Sequence, residues 1–212
     1  MRAFIYTGGK IDANNINELP ESEDIIIAAD SGYKNAKLMG ARPTVLLGDF
    51  DSLPREELRE AAKGAEVITV PAEKDFTDTQ LAVKTALEKG ANEIIIIGGL
   101  DGRLDHTLSN LAILEDMHSK NVRAFIADGN NRVRYLENDS IIIMRSGYKY
   151  ISLLAKSEKV KGVTVEGCKY PLKNAALTRT YQYAVSNEIE GNCAFIAVKK
   201  GGIFIVESKD KT

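Results

Sequence analysis

The sequence predicts an α/β protein in two parts: an N-terminal parallel sheet flanked by helices over residues 1–130, and a C-terminal antiparallel β-sandwich over residues 131–212. Two observations predict this. Up to about residue 128, short apolar runs alternate with stretches of helical periodicity, the pattern of a parallel sheet covered by helices on both faces. Beyond residue 130 the helical signals vanish, and short strand-like runs follow one another between turn residues.

In the first part, strands are expected at residues 3–6, 25–29, 45–47, 66–70, 93–97 and 123–127. The runs at 25–29 and 94–97 are continuously apolar, as strands buried on both faces require. Helices are expected at 33–39, 54–63, 78–88 and 105–119. Pro54 suits a first helical turn. Thr77, with Gln80 three residues on, forms a capping box. Ala82, Val83, Ala86 and Leu87 then make the buried stripe of that helix. In the second part, strands are expected at 133–136, 140–144, 148–154, 163–166, 175–178, 193–198 and 203–206. Glu137-Asn-Asp139, Ser146-Gly147 and Lys200-Gly-Gly202 separate them, and Asp128-Gly-Asn-Asn131 marks the boundary between the parts.

The composition excludes several classes. A chain of 212 residues with 44% hydrophobic content is one large globular domain or two small ones. Net charge is −2 and the pI is about 5.8, so no basic field exists to hold a nucleic acid, and none is expected as partner. No apolar run approaches the roughly 18 residues of a membrane span, and no membrane partner is expected. The N-terminal Met1-Arg-Ala-Phe-Ile-Tyr-Thr7 reads as a first strand rather than a secretory segment. Cys168 and Cys193 are the only cysteines and lack metal-ligand spacing. A cytoplasmic setting is expected.

The chemistry is announced by aspartates. Asp30, Asp49, Asp51, Asp75, Asp78, Asp101 and Asp105 all lie at or just after the ends of predicted strands, in four clusters that a parallel sheet gathers along one edge. Like charges that close coexist only if a cation neutralises them, and with Lys74 and Arg103 beside them they point to Mg²⁺ and phosphate. In an extended Gly48-Asp-Phe-Asp-Ser52, Asp49 and Asp51 face the same side and can reach one hard cation. The competing explanation is an Asx-turn with Ser52 or Asp51 as a helix cap. Leu53 stands where an aspartyl-phosphate phosphatase would carry threonine. Capping explains Thr77 and Gln80 but not Asp75, and it leaves Asp78 as a candidate ligand or substrate contact. Within Gly98-Gly-Leu-Asp-Gly-Arg-Leu-Asp-His106, the glycines let backbone N–H groups approach an anion at a helix N-terminus. Arg103 can grip phosphate oxygens with two donors, and His106 and Asn110 share a helical face. Neither a Gly-x₄-Gly-Lys-Ser/Thr loop nor a Gly-x-Gly-x-x-Gly motif occurs, so a nucleotide must be held another way.

Ala-Asp-Ser-Gly at 29–32, Gly-Asp-Phe-Asp-Ser at 48–52, Asp-Phe-Thr-Asp at 75–78 and Gly-Gly-x-x-Gly-Arg-x-Asp-His at 98–106, in this order and followed by a small β domain, resemble the thiamine pyrophosphokinase family. Those enzymes convert thiamine and ATP to thiamine diphosphate and AMP. The resemblance implies a nucleotide-binding catalytic domain over 1–130 and a thiamine-binding, dimerising β-sandwich over 131–212. It implies that Asp49, Asp51 and Asp78 hold Mg²⁺ on the triphosphate. Ser31, Gly98, Gly99, Gly102, Arg103, His106 and Asn110 would bind ATP, and Asp30, Asp75, Arg103 and Asp105 would surround the reacting groups. Asp30, Asp75 and Asp105 all remain open as acceptor of the hydroxyl proton. Gln80, Tyr183, Ser186 and Asn187 would contact thiamine. Here the chain departs from its bacterial relatives, which usually carry a Gly-Ser-rich loop where it reads Thr178-Arg-Thr-Tyr-Gln-Tyr-Ala184; Tyr181 or Tyr183 could stack on an aromatic ring. A homodimer is also implied, with thiamine held between the nucleotide domain of one chain and the β domain of its partner, and Ile142, Tyr148 and Tyr150 are candidate interface positions. The rivals are a pyrophosphokinase for another hydroxymethyl substrate such as a pterin, a metal-dependent sugar-nucleotide transferase, and a nucleotide-sensing module.

Overall fold

Residues 1–50, 54–71 and 75–210 are described by the computed structural model of the chain. They fall into two units, Met1–Gly129 and Asn130–Thr212. The first unit carries strands β1 (Arg2–Tyr6), β2 (Ile25–Ala29), β3 (Val45–Gly48), β4 (Glu66–Thr69), β5 (Glu93–Ile97) and β6 (Arg123–Ala127). All their pairings are parallel, in the order β4-β3-β2-β1-β5-β6. The sheet grows outward from β1 through β2, β3 and β4, then resumes at β5 on the other side. The C-terminal ends of β1 and β5 therefore flank a crevice, the place where open α/β sheets bind ligands.

Helices α1 (Gly32–Leu38), α2 (Arg55–Ala61), α3 (Asp78–Glu88) and α4 (Leu104–Ser119) cover this sheet. One face packs Phe4, Tyr6, Ile95 and Ile97 against Ala36 of α1, and Ala28 and Leu46 against Tyr33 of α1 and Ala61 of α2. Ile96 and Ile126 share the opposite face with Asn110 of α4. Gly32 lets α1 start directly on β1, because a Cβ there would sit 2.0 Å from the Tyr6 carbonyl oxygen. The central strands are buried on both faces, as their unbroken apolar runs require. β4 is an edge strand with mostly exposed residues, and it stops at Thr69, one residue short of the expected end. A single 3₁₀ turn at Ala13–Asn15 has no periodicity to announce it.

In the second unit the strands are β7 (Asn131–Glu137), β8 (Ser140–Met144), β9 (Tyr150–Ala155), β10 (Lys159–Glu166), β11 (Leu172–Thr178), β12 (Cys193–Ala197) and β13 (Gly202–Ser208). β13 pairs antiparallel with both β7 and β9. The other sheet runs β11-β10-β12-β8, also antiparallel. Leu136, Ile151, Leu153, Ile203 and Ile205 from the first group meet Ile143, Val160, Val163, Leu177 and Ile196 from the second in one core. That is the expected sandwich: parallel α/β followed by antiparallel β. Several strands run longer than their apolar cores because polar residues alternate into them, as in the exposed–buried rhythm that begins β10 at Lys159.

β13 contains an unusual residue for a core, Glu207, only 2% exposed. Its carboxylate accepts from Arg132 Nε and Nη2 at 2.8 and 2.6 Å, from Arg134 Nη1, and from the Ser146 hydroxyl at 3.2 Å. Arg132 and Arg134 are two apart on β7, so both guanidinium groups reach one side of that strand.

Candidate functional site

A polar cavity of about 360 Å³ lies at the C-terminal ends of β1, β2 and β5, where the strand order reverses. β1 runs into Thr7-Gly8-Gly9. The Thr7 hydroxyl donates to the Ile97 carbonyl at 3.1 Å and ties the loop to β5. Asn35 of α1 donates to the carbonyls of Thr7 and Gly9 at 2.6 and 2.7 Å, fixing the loop from below. β2 ends in Asp30, whose φ of 54° is the left-handed conformation that aspartate tolerates better than most residues. Its N–H donates to the Leu47 carbonyl at 2.8 Å, so the ends of β2 and β3 lie side by side. Gly48 is needed for that approach: its φ is 153°, and a Cβ there would lie 2.6 Å from Asp30 Oδ1.

Two helices begin at the cavity wall. Thr77, Asp78 and Thr79 bring the start of α3, where the Thr77 hydroxyl accepts from the Gln80 N–H at 3.2 Å and the Gln80 side-chain oxygen accepts from the Thr77 N–H at 2.9 Å. Gly98, Asp101, Gly102, Arg103, His106 and Asn110 bring the turn after β5 and the start of α4. Asn110 is buried and donates to the Gly99 carbonyl at 2.9 Å, while the Lys10 N–H donates to Asp101 Oδ2 at 3.1 Å. Two converging helix N-termini, with glycine backbone between them, make a setting for an anion of high charge.

Arg103 supplies the cation. Its Nε and Nη2 donate to the two oxygens of Asp105 at 3.1 and 2.5 Å, and Asp105 also accepts from the His106 N–H at 3.0 Å. The hydrogen bond that Arg103 donates to Asp105 holds the Arg103 pKa above its ordinary value and the Asp105 pKa below its own. Both side chains are largely exposed, so water screens the pair and it contributes little to stability. A phosphate can displace Asp105 from the fork at small cost.

Asp30, Ser31, Asp78, Gly98, Gly102, Arg103, His106 and Asn110 are thus brought together around one cavity. Gly99 stands behind the wall, its carbonyl held by Asn110. Asp49 is half-buried just past β3, Asp75 is exposed, and neither lines this cavity. Asp105 is turned to Arg103 rather than to the cavity. Asp51 lies outside the described residues, and among the described residues no group of three or more His, Cys, Asp and Glu is gathered tightly enough to hold a metal. Gln80 caps α3 and lines a separate cleft between α3 and α4. Sequence reasoning missed Thr7, Gly8 and Gly9, although an apolar strand ending in glycines was the same signal as at Gly98-Gly99.

The second unit holds an apolar cavity of about 120 Å³, with Ile151, Leu153, Val165, Leu172 and Ile196 in its walls and Tyr170, Tyr183 and Asn187 among the lining residues. Tyr183 donates its hydroxyl to the Ala176 carbonyl at 3.0 Å, and its ring lies 5.7 Å from that of Tyr181. Ser186 has a left-handed φ of 56°, its N–H donates to Ser152 Oγ at 2.9 Å, and it does not line the cavity. Ile142 is 62% exposed, but Tyr148 and Tyr150 are half-buried, Tyr148 lying against Arg132, whose guanidinium is 5.0 Å from its ring centre. Cys168 and Cys193 are free thiols. Among the described residues no helix is long and apolar enough to cross a membrane.

Residues 16–126 match the family model described as thiamin pyrophosphokinase, catalytic domain, and residues 139–203 match thiamin pyrophosphokinase, vitamin B1 binding domain. The chain is 33% identical over 186 residues to thiamine pyrophosphokinase of Bacillus subtilis (strain 168), covering 87% of each. It is 27% identical over 174 residues to thiamin pyrophosphokinase 1 of Caenorhabditis elegans, covering 78% of this chain and 70% of that one. The crystal structure of the thiamine pyrophosphokinase from Bacillus subtilis superposes with a TM-score of 0.89 at 29% identity, covering 100% of both chains. That of the thiamin pyrophosphokinase from Geobacillus thermodenitrificans gives 0.87 at 29% identity, covering 100% of this chain and 99% of that one.

Proposed function

The chain belongs to the thiamin pyrophosphokinase family, and from that premise we propose how its residues divide the work. It catalyses ATP-dependent pyrophosphoryl transfer to the hydroxyl of thiamine, giving thiamine diphosphate and AMP. The pterin and sugar-nucleotide readings are not favoured, since both matched segments are those of thiamin pyrophosphokinase. The observation that carries the assignment of roles is the cavity at the β1–β5 crevice, where two helix N-termini, Arg103 and Asp78 meet.

The triphosphate of ATP occupies that cavity. Backbone N–H groups at Gly102 and the start of α4 donate to its oxygens, with Gly98, Ser31 and His106 beside them, while Asn110 holds the Gly99 carbonyl and so the shape of the turn. Arg103 exchanges Asp105 for two phosphate oxygens, which bear more charge than the carboxylate it leaves. The thiamine hydroxyl then attacks the β-phosphorus, the bond to the α-phosphate oxygen breaks, and AMP leaves. Of the three aspartates open as proton acceptor, Asp30 is the one on the cavity wall. Asp75 is exposed away from it, and Asp105 is made a weaker base by Arg103. Asp78 on the wall and Asp49 just past the end of β3 offer the all-oxygen donors that a hard cation requires. Asp49, Asp51 and Asp78 would hold Mg²⁺, which when bound would neutralise the triphosphate charge. Tyr183 and Asn187, on the apolar cavity of the second unit, are assigned to the thiamine end.

Incubation with ATP, Mg²⁺ and thiamine should yield AMP and thiamine diphosphate in equal amounts, and ADP as product would overturn pyrophosphoryl transfer. Arg103→Lys should lose on the order of 2–4 kcal/mol of transition-state stabilisation, roughly thirty- to a thousandfold in kcat/KM, because a point charge cannot span two oxygens. Its fold should be unchanged, since Arg103 is exposed. Kinetics within threefold of the parent would reduce Arg103 to a surface ion pair.

The homodimer belongs to the same proposal. Ile142 and Met144, each 62% exposed, project from β8 beside Phe195 of β12, an apolar patch that a second copy would cover. Light scattering should give twice 23.2 kDa, and a monomer at micromolar concentration would remove the shared site. Cytoplasmic residence is likewise proposed, and cell fractionation tests it.

A further inference from the structure

We propose that Asn187 is a positioning residue rather than a substrate contact: it holds Tyr170 as one wall of the apolar cavity in the second unit, and the Tyr170 ring sets affinity for the aromatic end of the alcohol substrate. The inference rests on the function proposed above and adds to it a residue that the family motifs do not single out.

The hydrogen bonds of Asn187 carry the first half. Its Oδ1 accepts from the Tyr170 N–H at 3.0 Å and from the Glu188 N–H at 2.9 Å, and its Nδ2 donates to the Tyr170 carbonyl at 2.8 Å. Its backbone is also paired: the N–H donates to the Ile151 carbonyl at 3.0 Å, and the carbonyl accepts from the Ile151 N–H at 2.8 Å. Both acceptor positions of the amide are therefore filled, and a single N–H remains. The geometry explains the arrangement. Cys168 and Ile189 form an antiparallel bridge, and the Lys169 N–H donates to the Glu188 carbonyl at 2.9 Å, so residues 168–169 run beside 188–189. At Tyr170 this ladder would end. The Asn187 side chain adds one more rung, offering a donor and an acceptor as a backbone would.

Tyr170 carries the second half. It is followed by Pro171, which confines its backbone to extended conformations, and with the Asn187 rung its Cα position is fixed from both sides. The residue nevertheless remains 61% exposed while lining the cavity. A large aromatic ring held at the mouth of an apolar pocket, with Lys169 Nζ 5.7 Å from its centre, is a stacking surface. The cavity of about 120 Å³ is open and close in size to one that accepts a single six-membered ring, for which about 150 Å³ suffices when enclosed. Tyr183 lines the same cavity, its own hydroxyl tethered to Ala176.

Steady-state kinetics with thiamine varied at saturating ATP test this. Tyr170→Ala should raise the thiamine KM roughly ten- to thirtyfold, the size of a lost stacking contact plus its buried area, with the ATP KM and the unfolding midpoint unchanged. Tyr170→Phe should restore the parent KM, because the ring rather than the hydroxyl acts. Asn187→Ala should raise the thiamine KM similarly, and adding it to Tyr170→Ala should change KM by less than twofold, since its effect passes through the ring. If Asn187→Ala does not fold, Asn187→Asp keeps the acceptor, loses the donor, and should raise KM severalfold. A Tyr170→Ala enzyme within twofold of the parent overturns the inference, as does full multiplication of the two effects in the double variant. A parent that forms no AMP with thiamine overturns the proposed function itself and this inference with it, whereas an active parent with unaffected variants overturns the inference alone.

Discussion

Asp78→Asn is expected to abolish thiamine-dependent AMP formation while leaving the protein folded. Asp78 opens α3 at the wall of the polar cavity, where the proposed cation and the triphosphate meet. Removing one charged oxygen from a cation that neutralises developing charge should lower kcat on the order of a hundred- to a thousandfold. The structural loss is far smaller. A carboxylate in the first turn of a helix contributes about 0.3–1 kcal/mol through the helix dipole, and asparagine preserves its shape and one acceptor oxygen. That difference shifts the melting midpoint by only a few degrees, roughly 2–4 °C per kcal/mol for a chain of this size. Turnover measured against Mg²⁺ concentration, beside thermal unfolding, separates the two effects. Partial recovery at high Mg²⁺ is the expected signature; near-normal turnover at low Mg²⁺ would remove Asp78 from the metal set.

The largest effect on stability should come from a residue far from any chemistry. Glu207→Gln leaves Arg132 and Arg134, both mostly buried, facing a neutral amide in place of a carboxylate. Breaking a buried pair by neutralising one partner typically destabilises by about 3–5 kcal/mol, enough to consume much of the stability of an ordinary domain. The pH dependence follows from the same contacts. Burial alone pushes Glu207 upward, but hydrogen bonding from Arg132 and the charges of Arg134 and Arg132 outweigh it, so the folded pKa lies below the ordinary 4.5. The contribution is therefore fully present above about pH 4.5 and is lost as pH falls through the depressed folded value. Urea unfolding at neutral and acidic pH should show the parent losing stability over that acidic range, and the Gln variant lacking this part of the loss. A variant within 1 kcal/mol of the parent at neutral pH would make the network incidental.

Much of the fold was legible because its signals are local. Runs such as Ile94–Ile97 can be buried on both faces only in a covered parallel sheet, and the Thr77–Gln80 cap marks the start of α3 to the residue. Strand ends followed, and with them the sheet edge on which aspartates and glycines collect. What each side chain does at that edge was not legible, because it depends on which partners the folded chain brings into reach. Asp105, read as a reacting group, is turned to Arg103 two residues away across the start of α4. Asn187 belongs to the backbone of Tyr170, 17 residues earlier. Glu207 lay beyond the apolar run expected at 203–206; its burial exists only because Arg132, 75 residues earlier, pairs with it across two strands. By itself the sequence determined the elements, their faces, the family and the reaction, since periodicity and motif order are written along the chain. Tertiary structure decided which polar groups are already engaged with one another and which still face a cavity, because hydrogen bonds and charge pairs are satisfied in space, between segments that no local pattern connects.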